Sequence, residues 1–157
     1  MAKKRYYLAY GSNLNVDQMR DRCPDAVPVG TAVIKDYRLL FKGSKSGSYL
    51  TIEKCKGASV PVGVWLVGKD DERALDRYEG YPLFYYKKRM AIDVADFKDG
   101  KIWNVEAFVY IMHEDRPIGV PSLRYVETCA EGYDDFEFDK SVLVDAIAYS
   151  LKNRKAA

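Results

Sequence analysis

The segment YLAYGSNL (residues 7–14) contains the first apolar stretch of the chain and the polar residues that terminate this stretch. A short hydrophobic strand runs directly into Gly-Ser-Asn, three residues that add nothing to a hydrophobic core and tolerate unusual backbone angles. Such a turn is either a plain connection between two elements or a binding site for an oxygen-rich ligand. Other parts of the sequence have to distinguish these two possibilities.

The composition is that of an ordinary globular protein. The 157 residues predict a single domain spanning 1–157, large enough to bury a core without disulfides. Hydrophobic residues make up 48% and charged residues 31%, and the net charge is +2. Because basic and acidic residues are mixed along the chain, we expect no concentrated basic face and therefore no nucleic-acid partner.

The cysteine and histidine content argues against a metal centre. Cys23, Cys55 and Cys129 are far apart without a CxxC pair, and His113 is the single histidine. A zinc or iron site needs several such ligands, so we expect no metal. Free thiols, the lack of an apolar run near ~20 residues and the lack of a signal-peptide region predict a cytoplasmic protein without a membrane span.

Alternating apolar residues predict a strand-rich fold. Besides the strand before Gly11, the predicted strands are 31–41, 49–53, 60–67, 87–97 and 101–112. Asp99-Gly100 predicts a two-residue hairpin turn between the last two strands. Since so many strands would leave exposed edges in an open sheet, we predict an α+β fold whose strands curl into a β-barrel.

Capping residues and apolar spacing predict four helices. They are residues 15–22, residues 70–78, a short segment after Pro121, and residues 139–153. Asn15 is the expected N-cap of the first helix, and Gly80 lies just beyond the second. The residues expected to face inward are Leu123, Val126 and Ala130 in the third helix and Leu143, Ile147 and Leu151 in the fourth.

The turn after Tyr10 is the first candidate site. Unpaired backbone N–H groups at a helix start bind carboxylate or carbonyl oxygens. Gly11 allows a ligand to approach the backbone, and Ser12 and Asn13 offer further hydrogen bonds. On composition alone, a plain strand-to-helix turn is favoured by roughly three to one, because Gly, Ser and Asn are the usual turn residues.

Glu79 is the second candidate, because it lies at the end of a predicted helix among aromatic residues. The helix dipole is negative there, and burial beside aromatic rings also disfavours the charged form of a carboxyl group. Both effects raise the pKa toward that of a useful general base. The alternative, and the commoner case for an isolated glutamate, is a surface side chain paired with Arg77 or Lys87.

The segment VPSLRY (residues 120–125) is the third candidate. Pro121 and Ser122 predict a helix start that presents Tyr125 from its first turn. A tyrosine serving only the core is the alternative. We expect His113 to be a loop residue and Cys129 to be a buried helix cysteine, because neither has a partner for nucleophilic catalysis.

Four segments occur together in order over residues 6 to about 132. They are Tyr-Gly-Ser-Asn-Leu at 10–14, Leu-Asp-Arg-Tyr-Glu-Gly at 75–80, the tyrosine pair at 85–86, and Pro-Ser-Leu-Arg-Tyr at 121–125. Each motif alone is weak, but the four in this order resemble the γ-glutamylcyclotransferase family (the AIG2-like superfamily). The resemblance implies a mixed β-barrel with packed helices and cyclisation of a γ-glutamyl group to 5-oxoproline, with release of an amine or amino acid.

The resemblance also implies roles for individual residues. Glu79 would be the general acid/base, and the backbone of Gly11-Ser12-Asn13-Leu14 would hold substrate oxygens. The pocket would be lined by Tyr10, Tyr86 and Tyr125, with Tyr86 preferred over Tyr85 by counting from Glu79. No metal or organic cofactor would be required, and the partner would be a small γ-glutamyl substrate bound by a monomer or homodimer.

The sequence after Cys129 departs from the better-known animal enzymes. AEGYDDFEFDKS (residues 130–141) stands where those enzymes have a Gly-Ala-rich run and a Gly-Leu-Pro turn. The leaving group therefore stays open among a dipeptide's amino acid, an amine and a γ-glutamylated biosynthetic intermediate. A non-catalytic small-molecule binding module on the same fold is the alternative function.

Overall fold

Five strands close into a barrel, and four helices pack against it. The computed structural model describes residues 3–44 and 46–154. The elements are β1 (Arg5–Ala9), a 3₁₀ turn (Ser12–Leu14), α1 (Val16–Arg22), β2 (Val27–Ser44), β3 (Gly47–Val67), α2 (Lys69–Glu79), β4 (Tyr85–Asp96), β5 (Ile102–Met112), α3 (Leu123–Asp135) and α4 (Ser141–Asn153). The predicted α+β barrel is confirmed.

The strand order around the barrel is β1-β3-β2-β4-β5. β1 is antiparallel to β3, with Arg5 opposite Val67, and parallel to β5, with Tyr6 opposite Ala107. The barrel is therefore mixed. Its closure between β1 and β5 brings the first strand beside the last, about a hundred residues away along the chain.

The β2–β3 hairpin is longer than the sequence indicates. The two predicted strands 49–53 and 60–67 form one strand, and the polar stretch between them bulges opposite Asp36 instead of ending the pairing. Asp36 takes a left-handed conformation with φ of 62°, and its carboxylate accepts a hydrogen bond from the Gly57 N–H group at 3.0 Å. A bulge of this kind lets a strand bend and continue.

The β4–β5 connection is also longer than predicted. Residues 97–101 join the two strands, so the predicted two-residue turn at Asp99-Gly100 is wrong, although the hairpin itself is present. Gly100 takes a left-handed conformation with φ of 70°, and its N–H group donates to the Asp96 carbonyl at 3.0 Å.

Local capping chemistry sets the helix ends as predicted. The Asn15 side chain accepts a hydrogen bond from the Gln18 N–H group, and Gly80 ends α2 in the left-handed conformation. Two predicted inward residues face solvent instead: Leu123 is 74% exposed and Leu151 is 52% exposed. Leu123 is the first residue of its helix, and Leu151 is about 100° around α4 from the buried Ser150.

Candidate active site

A cavity of about 420 Å³ opens between the Gly11–Asn13 loop and the C-terminal end of α2. Its lining is mostly aromatic, with polar groups from the loop and from the end of α2. The lining residues are Tyr7, Tyr10, Gly11, Ser12, Asn13, Tyr49, Leu50, Arg77, Tyr78, Glu79, Gly80, Phe84, Tyr85, Tyr110 and Tyr125. Thus the loop, Glu79 and Tyr125, which are far apart along the chain, line one cavity.

The backbone of the loop has unused hydrogen-bond donors. In the described part of the chain, the N–H groups of Gly11, Ser12 and Asn13 have no protein acceptor. Leu14 differs, because its N–H group donates to the Gly11 carbonyl at 3.0 Å and its side chain is fully buried in the core. The expectation that Leu14 contacts a ligand is therefore corrected: it anchors the loop.

Helix α3 holds the loop from behind. A Cβ atom placed on Gly132 would lie 2.6 Å from the Asn15 nitrogen and 2.7 Å from the Leu14 carbonyl carbon. Only a glycine allows this close approach of α3 to the loop backbone. The Gly132 position, which belongs to the segment that departs from the animal enzymes, therefore supports the same loop.

Asn13 joins the loop to the carboxylate of Glu79. Its side-chain amide donates to the Tyr7 hydroxyl at 2.8 Å and lies 3.4 Å from Glu79 Oε1. The Arg22 guanidinium donates to the Asn13 carbonyl oxygen, which fixes the orientation of the amide. The amide therefore presents its N–H groups, and not its oxygen, to Glu79.

Glu79 is the last residue of α2, directly before Gly80. Burial raises the pKa of Glu79 to about 8, and the positive charge of Arg22 opposes this increase. The Arg22 guanidinium packs against the Tyr78 ring, 3.4 Å from the centre of that ring. A carboxyl group with a pKa near neutral pH can both accept and donate a proton.

The phenol groups of three cavity tyrosines are anchored to the backbone. The Tyr10 hydroxyl donates to the Tyr110 carbonyl at 2.6 Å, and the Tyr85 hydroxyl donates to the Leu50 carbonyl at 2.7 Å. The Tyr125 hydroxyl accepts from the Leu50 N–H group at 3.1 Å. Burial raises the pKa of each phenol, so these walls stay neutral.

Tyr85, and not Tyr86, lines the cavity, so the preference for Tyr86 is wrong. The Tyr86 hydroxyl donates to the Glu114 carboxylate at 2.6 Å, outside the site. Neighbouring side chains of a strand point to opposite faces. A count from Glu79 crosses the turn at residues 80–84, where neither helical nor strand periodicity applies.

A family model described as "Gamma-glutamyl cyclotransferase, AIG2-like" matches residues 7–151. The chain belongs to this family. The bovine γ-glutamylcyclotransferase is 30% identical and the mouse protein 29% identical, each over 134 residues that cover 80% of this chain and 68% of the relative. These relatives support cyclotransferase activity in the broad sense.

Solved structures support the fold independently. A structure described as a γ-glutamyl cyclotransferase has a TM-score of 0.74 and 24% identity, with 99% of this chain and 90% of that chain covered. YkqA from Bacillus subtilis has a TM-score of 0.75 and 17% identity, with 98% of this chain and 56% of that chain covered. At these identities the likeness shows a shared γ-glutamylcyclotransferase-like fold.

Several cavity residues were not identified from the sequence of this family member. They include Tyr7, Tyr49, Phe84 and Tyr110, as well as Arg77, which the sequence suggested only as a partner for Glu79. Tyr7 and Tyr110 lie on β1 and β5 and come together only because the barrel closes, with ring centres 5.7 Å apart. Nothing in the sequence distinguishes these two tyrosines from the others.

A cluster of charged residues lies on another side of α2. Lys87 Nζ lies 2.9 Å from the Asp76 carboxylate and 2.6 Å from that of Glu72, and Glu72 also pairs with Arg5 at 2.8 Å. The Tyr110 hydroxyl donates to Asp76 at 2.5 Å. The ion pairs connect α2 to β1 and β4, and the Tyr110 hydroxyl connects it to β5.

The remaining sequence candidates lie outside the site. His113 is in the loop after β5, where its Nε2 lies 2.8 Å from the Pro82 carbonyl oxygen. Cys129 is fully buried in α3, and burial raises the pKa of its thiol to about 12. Residues 3–44 and 46–154 contain no cluster of metal-ligating side chains and no helix long and apolar enough to cross a membrane.

Proposed function

We propose that this protein cyclises the γ-glutamyl group of a small substrate to 5-oxoproline and releases an amine or amino acid. The observation that carries the proposal is the position of Glu79. Its carboxyl group, with a pKa raised to about 8, shares a cavity with the unpaired N–H groups of the Gly11–Asn13 loop. A cavity of about 420 Å³ suits a small molecule.

The reaction needs one group that both takes and returns a proton. The substrate's α-amino nitrogen attacks its own γ-carbonyl carbon, so that a lactam C–N bond forms and the original amide C–N bond breaks. In this proposal Glu79 takes two protons, one after the other, from the α-ammonium nitrogen and passes each of them to the leaving nitrogen. The α-nitrogen becomes the lactam N–H group, and the leaving amine departs as an ammonium ion. Proton number is conserved, and no other reactant is needed.

In this proposal the loop stabilises the negative charge that develops during the reaction. The tetrahedral intermediate carries negative charge on the former γ-carbonyl oxygen, and preorganised N–H donors stabilise such charge. The unpaired N–H groups of Gly11, Ser12 and Asn13 are suitable donors for this oxygen or for the substrate's α-carboxylate. The packing of Gly132 against the loop keeps these donors in place before the substrate binds.

In this proposal the tyrosine side chains that line the cavity position the substrate. Because the nucleophile and the acyl carbon belong to one molecule, catalysis depends on holding the substrate in a folded, ring-like pose. The anchored rings of Tyr10, Tyr85 and Tyr125 narrow the cavity around such a pose. A flexible wall would allow the extended substrate to bind unproductively.

The experiment is a 5-oxoproline release assay over γ-glutamyl dipeptides, γ-glutamyl amines and glutathione. Wild type is compared with Glu79→Gln and with Glu127→Gln, a control at an exposed glutamate on α3. We expect release by wild type and by Glu127→Gln, and a decrease of roughly a hundredfold or more in Glu79→Gln. Binding of these compounds by wild type without any release would support a binding module instead and would overturn the proposal.

A further inference from the structure

Arg77 is the one cationic side chain among the residues that line the cavity in the described part of the chain. It lies in the last turn of α2, two residues before Glu79, and its side chain is exposed. Glu79 is the one acidic residue in the lining, and all remaining lining residues are neutral. A second negative charge on a substrate therefore has a single cationic partner in this cavity.

Arg77 is unpaired, whereas comparable arginines are occupied. No carboxylate lies within ion-pair distance of Arg77 in residues 3–44 and 46–154. Arg73, one turn earlier on the same helix, pairs with Asp70 at 3.4 Å. Arg22 donates to Asn13 and Gln18 and stacks on an aromatic ring. Arg77, by contrast, is a lining residue of the cavity whose side chain has no such partner in the described residues.

The two leading substrate types differ by one charged group. Both carry the α-ammonium and α-carboxylate of the γ-glutamyl head, for which Glu79 and the loop N–H groups are partners. A leaving amino acid adds a second carboxylate, and a leaving amine does not. The aromatic walls cannot solvate that carboxylate, but a guanidinium forms charge-assisted hydrogen bonds with it.

We propose that Arg77 binds the carboxylate of the leaving group and makes this protein select γ-glutamyl amino acids over γ-glutamyl amines. The inference rests on the proposed function, because it concerns the same cavity and the same reaction. It assigns the leaving-group end of the site to the rim near Arg77 and the glutamyl head to the loop. Arg77 is thus a specificity-determining residue, distinct from the acid/base.

The test uses two substrates that differ only in this carboxylate, γ-glutamyl-alanine and γ-glutamyl-ethylamide. The measured quantity is the ratio of their kcat/KM values for 5-oxoproline release. We expect wild type to favour γ-glutamyl-alanine about tenfold, near the lower end of what a hydrogen bond to a charged group contributes, because Arg77 is exposed. Arg77→Gln should bring the ratio close to one, and Arg77→Lys should keep part of it.

Two further variants sharpen the test. Arg77→Glu reverses the charge and should invert the preference, so that the ethylamide becomes the better substrate. Arg73→Gln removes a positive charge from the same helix outside the cavity and should keep the wild-type ratio. A change of the same size in Arg73→Gln would show a general charge effect and would overturn the assignment of Arg77.

The outcomes separate the inference from the proposed function. Equal turnover of both substrates by wild type, or a ratio that survives Arg77→Gln and Arg77→Glu, overturns the role of Arg77 while cyclisation stands. If wild type releases 5-oxoproline from neither substrate nor from the wider panel, the proposed function fails and the inference fails with it. A ratio that decreases in Arg77→Gln and inverts in Arg77→Glu establishes the inference.

Discussion

Helix α2 presents two carboxylates one turn apart, Asp76 and Glu79, and in the described residues only Asp76 has a cation beside it. Asp76 lies 2.9 Å from Lys87 Nζ and accepts a hydrogen bond from the Tyr110 hydroxyl. Glu79 has the Asn13 amide at 3.4 Å, and no cation lies within ion-pair distance of it in the described residues. Its pKa is raised to about 8 by burial. Of these two carboxyl groups, Glu79 is thus the one that is buried without an ion-pair partner.

The two carboxyl groups have different roles in this account. Asp76 belongs to the ion pairs that hold α2, and Glu79 is the proposed acid/base. The ion-pair cluster of Arg5, Glu72, Asp76 and Lys87 connects α2 to β1 and β4, and the Tyr110 hydroxyl connects it to β5, so that the position of the helix end is fixed. That fixed end places Glu79 in the cavity, and in the described residues no ion pair forms with its carboxyl group. Perturbed carboxyl groups are typical of functional sites, and their electrostatic cost has to be balanced elsewhere in the fold.

The largest expected effect comes from removing the unpaired carboxylate. Glu79→Gln should lower kcat/KM for 5-oxoproline release by roughly a hundredfold or more, because the proton-transfer group is lost. Asp76→Asn, one turn away, should lower it by less than about tenfold, because Asp76 acts only through the position of the helix. Equal losses in the two variants would remove the distinction between the regions.

The pH dependence of wild type should show the same group. Because Glu79 must be ionised to accept a proton, kcat/KM should rise with pH to an apparent pKa of about 8. For one group with that pKa, the increase from pH 6 to pH 8 is about fiftyfold. The substrate's ammonium group favours the carboxylate, so the corresponding rise in kcat should occur at lower pH. A flat profile from pH 6 to pH 8 would contradict this assignment.

Breaking the ion-pair cluster should affect the stability of the protein more than its catalytic activity. Lys87→Met leaves Glu72 and Asp76 without their shared cation in a partly buried position, which should lower the free energy of unfolding by about 2–3 kcal/mol. Urea titration measures this loss. Lys87→Arg keeps the charge and should recover part of it, and an unchanged midpoint in Lys87→Met would show that the cluster does not hold α2.

The smallest effect is the contribution of Glu79 to stability. Between its ordinary pKa of 4.5 and the raised value of about 8, the folded state holds a proton that the unfolded state has lost. The free energy of unfolding contributed by this group therefore falls as pH rises through that range. Relative to Glu79→Gln, wild type should lose on the order of 1 kcal/mol between pH 5 and pH 6, measured by urea titration. A gain would contradict the raised pKa.

The sequence predicted the features that depend on local chemistry. Asn15 caps α1, Gly80 ends α2 and Ser122 begins α3, because each of these positions is determined by hydrogen bonds within a few residues. The hairpin of β4 and β5 and the closed barrel were also predictable. The aromatic residues around Glu79 in the sequence indicated burial, and burial raises the pKa of this group.

The features that failed depend on distant contacts. The choice between Tyr85 and Tyr86 depends on how the turn at residues 80–84 enters β4, and the length of β3 depends on a bulge opposite Asp36. Leu14 was grouped with the binding loop, but the tight 3₁₀ turn uses its N–H group internally. Sequence spacing does not report these distances, so the identity of the lining residues required the structure.

The most direct test of the central claim is an NMR titration of the Glu79 side-chain carboxyl carbon in the wild-type protein. The resonance is identified by its loss in Glu79→Gln. The account predicts that it titrates with a pKa of about 8, well separated from the exposed carboxylates. A titration near the ordinary value of 4.5 would show that Glu79 is solvated or paired, and would contradict its assignment as the acid/base.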